Sequence, residues 1–144
     1  MEFAPVLGFF YTLAVGLTGL AAYYDLRDRN LPWFLLVAGF GLALFRVILT
    51  IRTELPVGAA LMFLCFVLAS LVSRVEHPTI GEHDIAWYGI VAGLLGTVVP
   101  IAFFLGLSVL FALCCMGYRP WREGMPFVVP MLFAVVMVVA LVSL

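Results

Sequence analysis

Charge is confined to a few places in this chain, and that confinement limits what it can fold into. Of 144 residues only 15 are charged, and 14 of those fall into four short groups. Asp25, Arg27, Asp28 and Arg29 form the first group, and Arg46, Arg52 and Glu54 the second. Arg74, Glu76, Glu82 and Asp84 form the third, with His77 and His83 among them; Arg119, Arg122 and Glu123 form the last. Between them lie uncharged stretches at 3–24, 31–45, 55–73, 85–118 and 124–144. A helix crossing a bilayer needs about 20 apolar residues. Four of the stretches suit one helix each, if the second runs on past Arg46. That residue lies about 20 Å along a helix starting at Pro32, close enough to snorkel to the far interface.

The stretch 85–118 is too long for one span. Its 34 residues would make a helix about 51 Å long, against roughly 30 Å of hydrocarbon. Gly96 and Pro100 bracket a break near its middle. The expectation is therefore an all-α, polytopic membrane protein: one domain, a bundle of six transmembrane helices. The spans fall at about 3–24, 31–50, 55–73, 84–98, 100–117 and 125–143. No basic n-region precedes the first apolar run, only Glu2, so the first span is expected to stay rather than be cleaved as a signal peptide. Arg27, Arg29, Arg74, Arg119 and Arg122 lie on one side of the expected membrane, Arg46 and Arg52 on the other. The positive-inside bias puts the first side in the cytoplasm and both termini outside a cytoplasmic membrane.

Composition removes other classes. At 66% hydrophobic residues the chain cannot cover a water-soluble domain with polar surface. With no Lys and a net charge of −1, nucleic acid is not an expected partner. Cys65, Cys114 and Cys115 lie inside apolar spans with no C-x-x-C pair, so neither a metal site nor a redox motif is expected. No cofactor is implied. Gly89, Gly93 and Gly96 form a small-residue stripe suited to close helix approach.

Ionisable groups at membrane depth are costly, and each is a functional candidate. Asp25 comes straight after the first span and Asp84 opens the fourth. Two crossings separate them, so both belong to one membrane face at similar depth, and two more crossings bring Pro126-Phe127 to the same layer. Two close carboxylates in a poorly hydrated site cannot easily both ionise, and one keeps a proton. An ionised and a protonated carboxyl side by side suit acid–base peptide hydrolysis: one takes a proton from water, the other donates to the scissile carbonyl. Structural roles compete with that reading. Asp84 suits a helix dipole, and Asp25 suits an i+4 pair with Arg29.

Three motifs add a family. Asp25-Leu-Arg-Asp-Arg-Asn-Leu-Pro32 resembles the first aspartate motif of the type IV prepilin peptidases. Gly81-Glu82-His83-Asp84 resembles the second, G-x-G-D, and Met125-Pro126-Phe127 is similar to the Pro-Phe element of the archaeal preflagellin and prepilin peptidases. The resemblance implies a membrane aspartic endopeptidase with Asp25 and Asp84 as catalytic pair. It implies removal of the short basic leader (a class III signal peptide) from prepilins or prearchaellins at the cytoplasmic boundary. Asp28, Glu76, Glu82 and Glu123 would then attract the leader. His83 departs from the motif, where the family has glycine. Nothing here corresponds to the Cys-rich domain of the larger bacterial members, so no methyltransferase activity is expected. The alternatives are a non-catalytic membrane subunit with structural aspartates, or a small proton-coupled transporter in which Asp25 and Asp84 carry protons. Acids at one boundary count against a transporter, whose proton carriers belong near mid-membrane.

Overall fold

The computed structural model is all-helical. It describes residues 4–28, 31–50, 52, 57–74, 82–118 and 128–143, with side chains at all of these except 4–7, 28, 115–118 and 143. Among the described residues six helices follow in order: α1 (Ala4–Asp28), α2 (Trp33–Thr50), α3 (Val57–Val72), α4 (Glu82–Leu95), α5 (Val98–Tyr118) and α6 (Val128–Ser143). The sites expected at Gly81, Glu76, Glu123, Pro126 and Phe127 lie outside the described residues, as does the Asp28 side chain.

α4 is the axis of the bundle, in contact with all five other helices. From Ala86 to Leu95 every one of its residues is buried except Tyr88. A helix enclosed on all sides needs no polar face. Its neighbours reach it through small residues. The buried residues of α2 are Leu35, Gly39, Ala43, Arg46 and Thr50, three to four apart, which is one stripe of a helix. A Cβ placed on Gly93 would stand 2.9 Å from the Ala43 Cβ, and one on Gly89 would stand 2.8 Å from the Cys65 Cβ. The glycine stripe thus admits two helices, α2 and α3, on adjacent sides of α4. The bulky apolar side chains face outward instead: Trp33, Phe63, Val37 and Leu113 are among the most exposed residues.

The break inside the long apolar stretch falls earlier than expected. α4 stops at Leu95, and Gly96 takes φ 78°, the left-handed conformation that closes many helices. The Gly96 amide donates to the Ala92 carbonyl at 2.9 Å. α5 begins at Val98, so Pro100 lies in its first turn, where a missing N–H costs no helical bond. At only 14 residues, α4 is about 21 Å long. α1 runs past the expected end at residue 24 and carries Asp25 inside its last turns, with Arg27 near the helix C-terminus where a cation is favoured. Pro32 stands just ahead of α2, and its carbonyl accepts from the Leu35 amide at 3.1 Å.

Arg46 corrects another expectation. It does not snorkel outward; it is 1% exposed, and its guanidinium occupies the space beside Gly96. There the negative end of the α4 dipole makes a favourable setting for a cation.

Among the described residues one helix, α2, is long and apolar enough by itself to cross a membrane, with a mean hydropathy of 2.1 over its 18 residues. Val57–Val72, Val98–Cys114 and Val128–Val142 are also apolar but shorter.

Candidate functional site

The two acids emerge at the same end of the bundle. The register follows from side-chain contacts. α1 and α2 are antiparallel: the Phe10 ring packs near Phe45 and the Tyr24 ring on Phe34, with centroids 6.3 and 6.1 Å apart. α2 and α4 are parallel: Ala43 meets Gly93 and Arg46 meets Gly96. Carrying that 50-residue offset back along α2 sets Asp84 level with Phe34. Phe34 in turn packs on Tyr24, the neighbour of Asp25. Asp25 and Asp84 therefore stand within about one helical turn, 5.4 Å, of the same level.

A polar contact sets how the two helices face each other. The Trp87 indole N–H donates to the Thr18 hydroxyl at 3.2 Å, and both residues are fully buried. Thr18 is seven residues before Asp25, so the two share a face of α1. Trp87 is three residues after Asp84, about 60° around α4 from it. The hydrogen bond therefore holds the Asp25 face of α1 toward the Asp84 side of α4. Asp25 itself is 6% exposed, whereas Asp84, in the first turn of α4, is half-buried. A buried carboxyl and a more accessible one at the same level are an arrangement in which one acid can be shielded while the other meets water, which suits general acid–base chemistry.

The other expected site residues are less engaged. Glu82 and Asp84 both lie in the first turn of α4, where the helix dipole favours negative charge. His83 Nε2 stands 3.8 Å from Glu82 Oε1, with both side chains about two-fifths exposed (38% and 44%). A long exposed pair of this kind contributes little. The described residues contain no group of three or more His, Cys, Asp or Glu placed to hold a metal ion.

Four side chains that bond across helices were not singled out by sequence: Thr18, Trp87, Tyr88 and Ser108. Ser108 donates to the Tyr88 hydroxyl at 2.9 Å. The available signal was a hydroxyl inside an apolar span, which describes Thr18 and Ser108 but does not pair them. Comparison of the chain with protein-family models, curated proteins and solved structures finds no match.

Proposed function

We propose that this chain is a multi-pass membrane aspartic endopeptidase of the prepilin peptidase type. It removes the short basic leader of prepilins or prearchaellins at the cytoplasmic membrane boundary. The observation that carries the reading is the common level of Asp25 and Asp84 on two helices tied together by Trp87 and Thr18. The motif resemblances at Asp25–Pro32 and Gly81–Asp84 supply the substrate class.

The membrane part of the reading rests on the surface. Trp33 is 75% exposed and Phe63 73%. Such side chains recur on α1, α2, α3, α5 and α6, and a water-facing surface does not tolerate an apolar area of that extent. Lipid does. α2 meets the length and hydropathy of a span, and α4, shielded by its neighbours, needs no contact with lipid along most of its length.

In the proposed reaction the carboxylate of one aspartate takes a proton from water as the water oxygen attacks the scissile carbonyl. The carboxyl of the other donates its proton to the carbonyl oxygen. Collapse of the tetrahedral species breaks the C–N bond, and the leaving amine takes a proton from the pair. Glu82, with Asp28, Glu76 and Glu123, supplies negative charge for the basic leader.

The test is cleavage of leader peptides by the purified protein in lipid nanodiscs. Asp25→Asn and Asp84→Asn should each abolish cleavage while insertion and helix content stay normal. Near-wild-type cleavage by either Asn variant would mean that the aspartates are not the catalytic pair.

A further inference from the structure

The end of the bundle that bears the acids also presents amphipathic side chains to the outside, which the chemistry above does not use. On α1, Tyr23 and Arg27 are four residues apart and share one face, and both are exposed. Asp25 lies two residues from each, about 200° around the helix, and is buried. The same turn thus sends a carboxyl into the bundle and a phenol and a guanidinium out of it. The Arg27 guanidinium donates to the Tyr23 hydroxyl at 3.4 Å. α2 opens with the exposed Trp33, next to Phe34, whose ring packs on Tyr24. On α3, Gly58 faces Gly96 and Cys65 faces Gly89, so that helix runs toward the start of α4 and delivers the exposed Arg74 to this end.

The opposite end differs. Among the described side chains every Trp and Tyr except Tyr11 stands in the acid half, and Tyr11 is buried. The aromatic rings exposed at the far end are those of phenylalanines such as Phe9 and Phe45, which carry no polar group. A Trp or Tyr ring has an apolar body and a polar tip, and it is most stable where hydrocarbon gives way to headgroups. An exposed guanidinium at that depth offers a fork of donors that fits a phosphate.

We propose that Tyr23, Arg27, Trp33 and Arg74 form an interfacial anchor that grips phospholipid headgroups and fixes the depth of the acid layer. Asp25 and Asp84 are then held where the bilayer meets water. The anchor rests on the membrane part of the reading above and not on the peptidase chemistry.

The experiment measures depth in phospholipid vesicles. Trp33 emission, isolated as the difference between wild type and Trp33→Phe, is quenched with lipids brominated near the headgroup, at mid-chain or near the chain end. Quenching should be strongest with bromine nearest the headgroup. The control is Phe63→Trp in the Trp33→Phe chain. Phe63 is exposed beside Met62, which lies against Gly89 in the middle of α4, so the deeper bromines should quench it most. Strongest quenching of Trp33 at mid-chain or deeper overturns the anchor, as does no quenching of Trp33 while the control is quenched. No quenching of either overturns the membrane reading together with the anchor. A second readout is the depth of a nitroxide on Ser73→Cys in a chain freed of native cysteines. In Tyr23→Leu/Trp33→Leu it should move about 3 Å toward the bilayer centre, two residues of helix rise. In Tyr23→Trp/Trp33→Tyr, which keeps both amphipathic rings, it should stay at the wild-type depth. An unmoved label in the double leucine variant overturns the proposal that these side chains fix the depth.

Discussion

The Arg46 guanidinium lies where a side chain on Gly96 would have to go. Gly96 also holds φ 78°, so the position is closed to other residues on two counts, backbone and space. The contact joins the end of α2 to the turn between α4 and α5. It thereby sets how far α4 slides along α2, and with it the level of Asp84 at the other end.

Gly96→Ala should destabilise the protein strongly. The left-handed backbone alone costs about 1–2 kcal/mol for a residue with a Cβ, and the buried guanidinium must also move. Denaturant titration of the nanodisc-purified protein checks it. Gly41→Ala is the matched control: it is an exposed mid-helix site with nothing within 4 Å of the added Cβ. There the helix should gain about 0.5–1 kcal/mol. Equal stability of the two variants would show that Arg46 does not occupy the Gly96 turn.

The packing on the other faces of α4 gives a second expectation. Gly93→Val should cost about 1–3 kcal/mol, because its Cβ would come within 2.9 Å of the Ala43 Cβ and 3.1 Å of the Met62 Sδ, and although the Met62 chain can give, the Ala43 methyl cannot. Ala43→Gly in the same chain should recover part of that loss, whereas an Ala→Gly change on the outer face of α2, such as Ala38→Gly, should not. Recovery at both sites would argue against a direct Ala43–Gly93 contact.

Thr18→Val leaves the Trp87 indole N–H without its acceptor in a fully buried place. Across a double-mutant cycle with Trp87→Phe, the coupling should be about 0.5–2 kcal/mol, the range for hydrogen bonds between membrane helices. Leader cleavage should fall in Thr18→Val as well, with kcat more affected than KM. Additive stability losses in the cycle would show that the bond contributes nothing.

The proposed topology has its own check. In a chain freed of native cysteines, Ser73→Cys and Val98→Cys stand at opposite ends of the bundle, and both positions are exposed. A membrane-impermeant maleimide added outside intact cells should label Val98→Cys and leave Ser73→Cys untouched until the cells are opened. Labelling of both from outside would break the six-span arrangement.

His83→Gly replaces the one residue that departs from the G-x-G-D pattern. The imidazole is partly exposed and its ion-pair neighbour is Glu82 at 3.8 Å, so leader cleavage should stay within about threefold of wild type, the size expected when only a weak exposed pair is lost. A fall of a hundredfold would bring His83 into the chemistry.

Much of the architecture is readable from charge position. The gaps between charge clusters give six helices, and the excess length of 85–118 gives the turn at Gly96. Ends are less legible. Periodicity and hydropathy do not register that α1 continues through Asp25, because a helix continues wherever its backbone bonds and local charges allow. Arg46 departs from expectation for a related reason. Its distance from Pro32 holds, but an arginine near a helix end snorkels or turns inward according to what the neighbouring helix offers, and here α4 offers the turn at Gly96.

The sequence by itself determined the helix count, the parity that brings Asp25 and Asp84 to one end, and the small-residue face of α4. Those follow from chain length, from where charge is allowed, and from a fixed rise per residue. Only the tertiary structure decided which helix is central, that Arg46 is buried, and which hydroxyls bond across helices. Thr18 with Trp87 and Ser108 with Tyr88 are pairs across 69 and 20 residues. Such pairs depend on helix rotation and crossing, which arise from packing side chains of several helices at once and leave no periodic mark in any one of them.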